Sequence, residues 1–116
     1  MSILQPGFTR LWSGPLIAIS MVMGTSAFAQ QADKLAAGKA LIVENCGACH
    51  AVAKDDKGQH PQAPNFRDLS KNYPVAQLEE SLAEGIMTGH PDMPVFEFEP
   101  DSVDAIIAYL ESIQVQ

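Results

Sequence analysis

The residues with the most pointed chemistry are Cys46-Gly47-Ala48-Cys49-His50, two thiols three positions apart followed at once by an imidazole. A C-x-x-C-H run is the signature of covalent haem attachment. Each thiol adds to one vinyl group of the haem and leaves a thioether. The adjacent His then lies beneath the iron and supplies an axial nitrogen. Two other chemistries use a close Cys pair. A thioredoxin-like redox pair follows a strand in a βαβ pattern, whereas the residues before Cys46 read as helix. A structural zinc site needs four ligands, and here one Cys pair stands with three scattered His.

Iron held by His50 keeps a sixth position. The candidates beyond the motif are Met93, Met87, His60 and His90. Met93 lies in Gly89-His90-Pro91-Asp92-Met93-Pro94-Val95-Phe96, a proline-stiffened loop suited to holding a weak thioether at a fixed distance. Met87 follows the second helix and is the main alternative, though it reads first as a packed apolar residue. His60 and His90 each precede a proline, and the alternative for both is an exposed, solvated loop position.

These residues must be positioned by a small chain. Arg10, the apolar run from Pro15 to Met23 and the small-x-small Ala27-Phe28-Ala29 have the layout of a secretory signal peptide. The expected division is therefore 1–29 signal peptide and 30–116 mature domain, exported to the periplasm with no membrane insertion after cleavage. The apolar stretch is short for a spanning helix, and an uncleaved anchor is the alternative. The whole chain of 116 residues carries seven basic and fourteen acidic residues, a charge of −7. Removing 1–29 takes away one Arg and no acid, leaving 87 residues with a charge of −8. Such a charge argues against nucleic acid or an anionic membrane as partner. A core of this size commonly needs a staple. A bridge between Cys46 and Cys49 would close almost no loop, so a large apolar cofactor is the staple that fits.

The elements read as helices and loops. The spacing predicts a helix over Asp33–Asn45, with Leu35, Ile42 and Cys46 on one face and Gly38 and Val43 near it. Gly38 in a helix points to a close helix crossing. Residues 51–72 read as a long ordered loop, which in a compact domain must wrap something. Pro74–Glu84 is a second expected helix ended by Gly85, and the prolines of Gly89–Pro100 exclude helix there. Val103, Ile106, Ile107, Leu110 and Ile113 mark a third helix over Asp101–Ile113. The expected class is all-α.

Taken together, the mature chain resembles the small class I c-type cytochromes of bacteria. The resemblance rests on Gly38, eight residues ahead of Cys46, on C-x-x-C-H, and on Ala63-Pro64-Asn65-Phe66, while Ile42 stands where many members have an aromatic. Met93-Pro94-Val95-Phe96 and Ile106-Ile107-Ala108-Tyr109-Leu110 complete it. It implies three main helices and long loops around one covalent haem c, with Gly38 facing Tyr109 where the first and last helices cross. It implies that the Pro64 carbonyl accepts a hydrogen bond from His50, and that Met93 joins His50 on the iron. With both axial positions filled, the expected function is one-electron transfer by a soluble monomer, not an enzyme. Leu69, Leu78, Leu82 and Phe96 would wall the ring. The alternatives are a haem-bearing subunit of a periplasmic dehydrogenase, or a sensor or enzyme with a displaceable sixth ligand. Acids at Glu79, Glu80, Glu84, Glu97, Glu99, Asp101 and Asp104 either dock a redox partner with a basic surface or simply solvate helix faces.

Overall fold

The structure, a computed structural model, describes Gly7 and residues 25–87 and 91–116. Arg10, the apolar run and His90 lie outside the described residues. Three helices carry the fold: α1 (Thr25–Cys46), α2 (Leu78–Glu84) and α3 (Pro100–Ile113). Two 3-10 segments, Phe66–Lys71 and Val75–Gln77, precede α2. Among the described residues there is no strand, and no helix is long and apolar enough to cross a membrane. The class is all-α, as expected.

Helix α1 begins eight residues before the expected Asp33. Residues 26–32 are Ala, Phe and Gln with one Ser, and no Gly or Pro interrupts them, so local propensity extends the helix. These turns are solvent-facing: residues 26–33 are exposed, Phe28 to 80%. The Ala27-Phe28-Ala29 element is thus presented on a bare helical surface. Further on, Gly38 and Ile42 are buried and Leu35 and Cys46 are half-buried. Val43 departs from the expected face and is 50% exposed, while Leu41 packs against the core in its place. At 100° per residue Val43 lies about 140° from Gly38 and about 160° from Leu41, which turns it out of the α1–α3 contact.

The α1–α3 crossing centres on Gly38, and there the glycine is required by closeness. A Cβ built at Gly38 would overlap the Ala105 carbonyl oxygen and stand 2.9 Å from Tyr109 Cβ. Gly38 therefore faces Tyr109, with Ala105 closer still. All five expected apolar positions of α3 are buried, and Ala105 and Tyr109 join them. Pro100 is the first residue of α3 rather than the end of the preceding loop. Its missing N–H is lost at no cost in a first turn, where that group has no helical partner. Lys34 and Asp104, 2.5 Å apart, join the two helices at their exposed edge.

The expected single helix Pro74–Glu84 is two elements. Pro74 is extended (φ −60°, ψ 129°) and Val75–Gln77 is a 3-10 turn before α2. Proline here stands outside the first turn and sets the direction of entry. Gly85, with φ +102°, stops α2 in a conformation that disfavours a side chain.

Residues 51–72 are ordered by polar contacts rather than by a period. The Asp56 carboxylate accepts from the Val52 and Ala53 amides at 2.8 and 2.9 Å. Arg67 Nη1 donates to the Ala53 and Asp56 carbonyls at 3.2 and 2.9 Å. Tyr109 Oη donates to the Val52 carbonyl at 2.8 Å, which ties the loop to α3. Partial burial works to raise the Asp56 pKa, but the amide hydrogen bonds and the Arg67 charge outweigh it and hold the carboxyl below its ordinary value. A lowered carboxylate stabilises the fold above its unfolded pKa of about 3.9, and that contribution is lost as pH falls through the folded value. Asp56→Asn should lower stability at neutral pH by roughly 1–2 kcal/mol. It should also flatten the acid limb of the stability profile below about pH 4, read by denaturant unfolding at stepped pH.

Candidate haem site

Helix α1 ends at Cys46, and the chain turns at once. The Cys49 and His50 amides both donate to the Cys46 carbonyl, at 3.1 and 3.0 Å. This turn brings the two thiols and the imidazole to the rim of one cavity of about 480 Å³. All five residues singled out by the sequence line it: Cys46, Cys49, His50, Pro64 and Met93. So do the four expected wall residues, Leu69, Leu78, Leu82 and Phe96.

His50 Nδ1 lies 2.8 Å from the Pro64 carbonyl oxygen. A carbonyl can only accept, so Nδ1 carries the proton and Nε2 keeps its lone pair. That is the tautomer a metal needs from imidazole. The ring stacks on Phe66, with centroids 4.5 Å apart, so its plane as well as its tautomer is held. Cys46 is half-buried, and burial pushes its thiol pKa up to about 11. An uncharged thioether is at home in such a place. Neither cysteine is in a disulfide.

The candidates for the sixth position separate. Met93 is half-buried and lines the cavity. Met87 is 89% exposed, so it is neither in the cavity wall nor the packed residue it was read as. His60 is not a freely solvated loop residue: it is half-buried at the cavity. Its Nδ1 accepts from the Gln62 amide at 3.2 Å, and its Nε2 lies 3.4 Å from Asp92. Both ring nitrogens are engaged. His90 lies outside the described residues.

The sequence reading missed Ile86 and Phe98, which also line the cavity, and the stacking of Phe96 on Phe98. The signal was there in Phe96-Glu97-Phe98-Glu99, whose alternation marks an extended segment with one apolar face. The Phe98 amide donates to the Leu82 carbonyl at 2.9 Å and fixes this segment beside α2.

The His50 and His60 imidazoles, the Met93 thioether and the two thiols line one cavity with an apolar wall. This set fits a covalently attached haem. The rival readings fit less well. A helix, not a strand, precedes the Cys pair, and among the described residues no three His, Cys, Asp or Glu converge on a metal. The cytochrome c family model matches residues 35–114. The chain belongs to the cytochrome c family. No curated protein and no solved structure matches it. As a cytochrome c it carries covalently bound haem c with its iron, and two cysteines are present for the attachment. Its work is haem-based electron transfer with redox partners, and the family generally carries electrons rather than catalysing reactions.

Proposed function

We propose that this cytochrome c is a soluble periplasmic one-electron carrier with a single haem, bound through Cys46 and Cys49, with His50 and Met93 as axial ligands. One observation carries the reading: His50 and Met93 line the same apolar cavity, and His50 presents Nε2 with its other nitrogen on Pro64. The haem iron supplies the Fe(III)/Fe(II) couple. The chain's residues do the rest. Two filled axial positions leave no vacancy for substrate, so the couple works without one. A thioether ligand favours ferrous iron and raises the potential, and the apolar wall limits water and acts the same way. The Pro64 carbonyl holds the imidazole in its orientation.

Export is supported by the order basic residue, apolar run and Ala27-Phe28-Ala29, with the mature chain beginning at Gln30. The partner is a redox protein with a basic docking surface. Residues 72–116 hold nine acids and no Lys or Arg. They supply α2, the Met93 segment and α3, so the C-terminal part of the chain that carries Met93 is acidic in sequence, and Asp92 lies at the cavity itself. Association there should weaken with salt. Carbon monoxide tests the carrier reading: ferrous protein should bind it slowly or not at all. Rapid binding would favour a sensor or enzyme with a displaceable sixth ligand.

A further inference from the structure

Gly58 lies eight residues beyond His50, and neither its spacing nor its neighbours in sequence suggest a role. Its φ is not positive, so conformational freedom does not explain it. Closeness does. A Cβ at Gly58 would stand 2.7 Å from the Cys49 carbonyl oxygen, 2.9 Å from the Ala51 nitrogen and 3.2 Å from the His50 carbonyl carbon. All three are backbone atoms of the peptide that carries His50, and no rotamer change can relieve such contacts. The same peptide is held from its other sides. The Cys46 carbonyl takes the Cys49 and His50 amides, and the Phe66 amide donates to the Ala51 carbonyl at 2.9 Å. Two residues after Gly58, the His60 amide donates to the Cys49 carbonyl at 3.1 Å and closes the turn onto it.

We infer that Gly58 is a positioning residue for His50: its bare backbone lets the 58–60 turn clamp the Cys49–Ala51 peptide and so hold the imidazole against the Pro64 carbonyl. The inference rests on the reading of His50 as an axial ligand. A side chain at 58 must either lift the turn and break the His60–Cys49 bond, or push the His50 peptide. Both change the Nδ1 to Pro64 distance. The hydrogen bond to Pro64 makes the imidazole a stronger donor, and a stronger donor favours ferric iron. Loosening it should raise the potential.

The test compares holoproteins of wild type, Gly58→Ala and Gly38→Ala. Redox titration reads the potential, and proton exchange of the His50 ring N–H in the ferrous form reads the hydrogen bond. Gly58→Ala should shift the Fe(III)/Fe(II) equilibrium about threefold towards ferrous, ~28 mV at 59 mV per tenfold, and should speed the exchange. Gly38→Ala, at a helix crossing, should lower thermal stability and move neither. Inserting one glycine between Lys57 and Gly58 lifts the turn without adding a Cβ. It should reproduce both changes even where Gly58→Ala fails to accumulate. Wild-type potential and exchange in whichever of these two variants accumulates would overturn the inference, as would an equal shift in Gly38→Ala. The underlying ligand reading fails separately, if His50→Ala keeps the wild-type haem spectrum.

Discussion

Replacement of either Cys46 or Cys49 by Ala should remove most of the mature holoprotein from an exporting cell. The argument is one of burial. The cavity bounded by the motif, α2 and the Met93 segment is about 480 Å³, within a chain that the proposed cleavage leaves at 87 residues. Unfilled, it would leave Leu78, Ile86, Phe96 and Phe98 facing water, and at ~1.5–3 kcal/mol for each large apolar side chain the loss is several kcal/mol. The entire stability of a chain this size is roughly 4–13 kcal/mol. The haem is therefore part of the core, and its covalent tether keeps it there. Denaturing gels stained for haem should show the band in wild type and only a trace in either variant. Intact wild-type mass should equal residues 30–116 plus one haem. A folded, haem-free monomer of Cys46→Ala would contradict the argument.

Met93→Ala should have the second large effect. Pro91 and Pro94 flank the sulfur and restrict the unfolded loop, so less conformational freedom is lost in holding it. Phe98, bonded to Leu82 beyond it, anchors the far end. Without the thioether the sixth position opens. The potential should fall by on the order of 0.1–0.3 V, within the ~0.8 V that axial ligands span. Ferrous protein should then bind carbon monoxide rapidly. Met87→Ala, at a side chain outside the cavity, should change neither property.

These residues were legible because their chemistry is local. C-x-x-C-H needs only a helix end and one turn to bring three side chains together, and the spacing of Val103 to Ile113 dictates a buried face. Pro64 came from likeness to a family; Met93 stood out as the methionine of a proline-stiffened loop and the likeness then pointed to it as the ligand, and both line the cavity. What could not be read depends on backbone approaching backbone across the fold. The distance of Gly58 from the Cys49 carbonyl, the hold of Arg67 on the Ala53 and Asp56 carbonyls, and the bond from Tyr109 to Val52 leave no periodic trace. Element ends were misplaced where propensity and tertiary contact disagree. Residues 26–32 stay helical although exposed, whereas Pro74 yields a 3-10 turn where a continuous helix was expected.

Ligation of the iron by His50 and Met93 is the central claim, and ferric protein near neutral pH tests it most directly. Sulfur bound to ferric iron gives a weak near-infrared charge-transfer band. The band should be present in wild type, in Met87→Ala and in His60→Ala, and absent from Met93→Ala. Its absence from wild type, or its survival in Met93→Ala, would contradict the account.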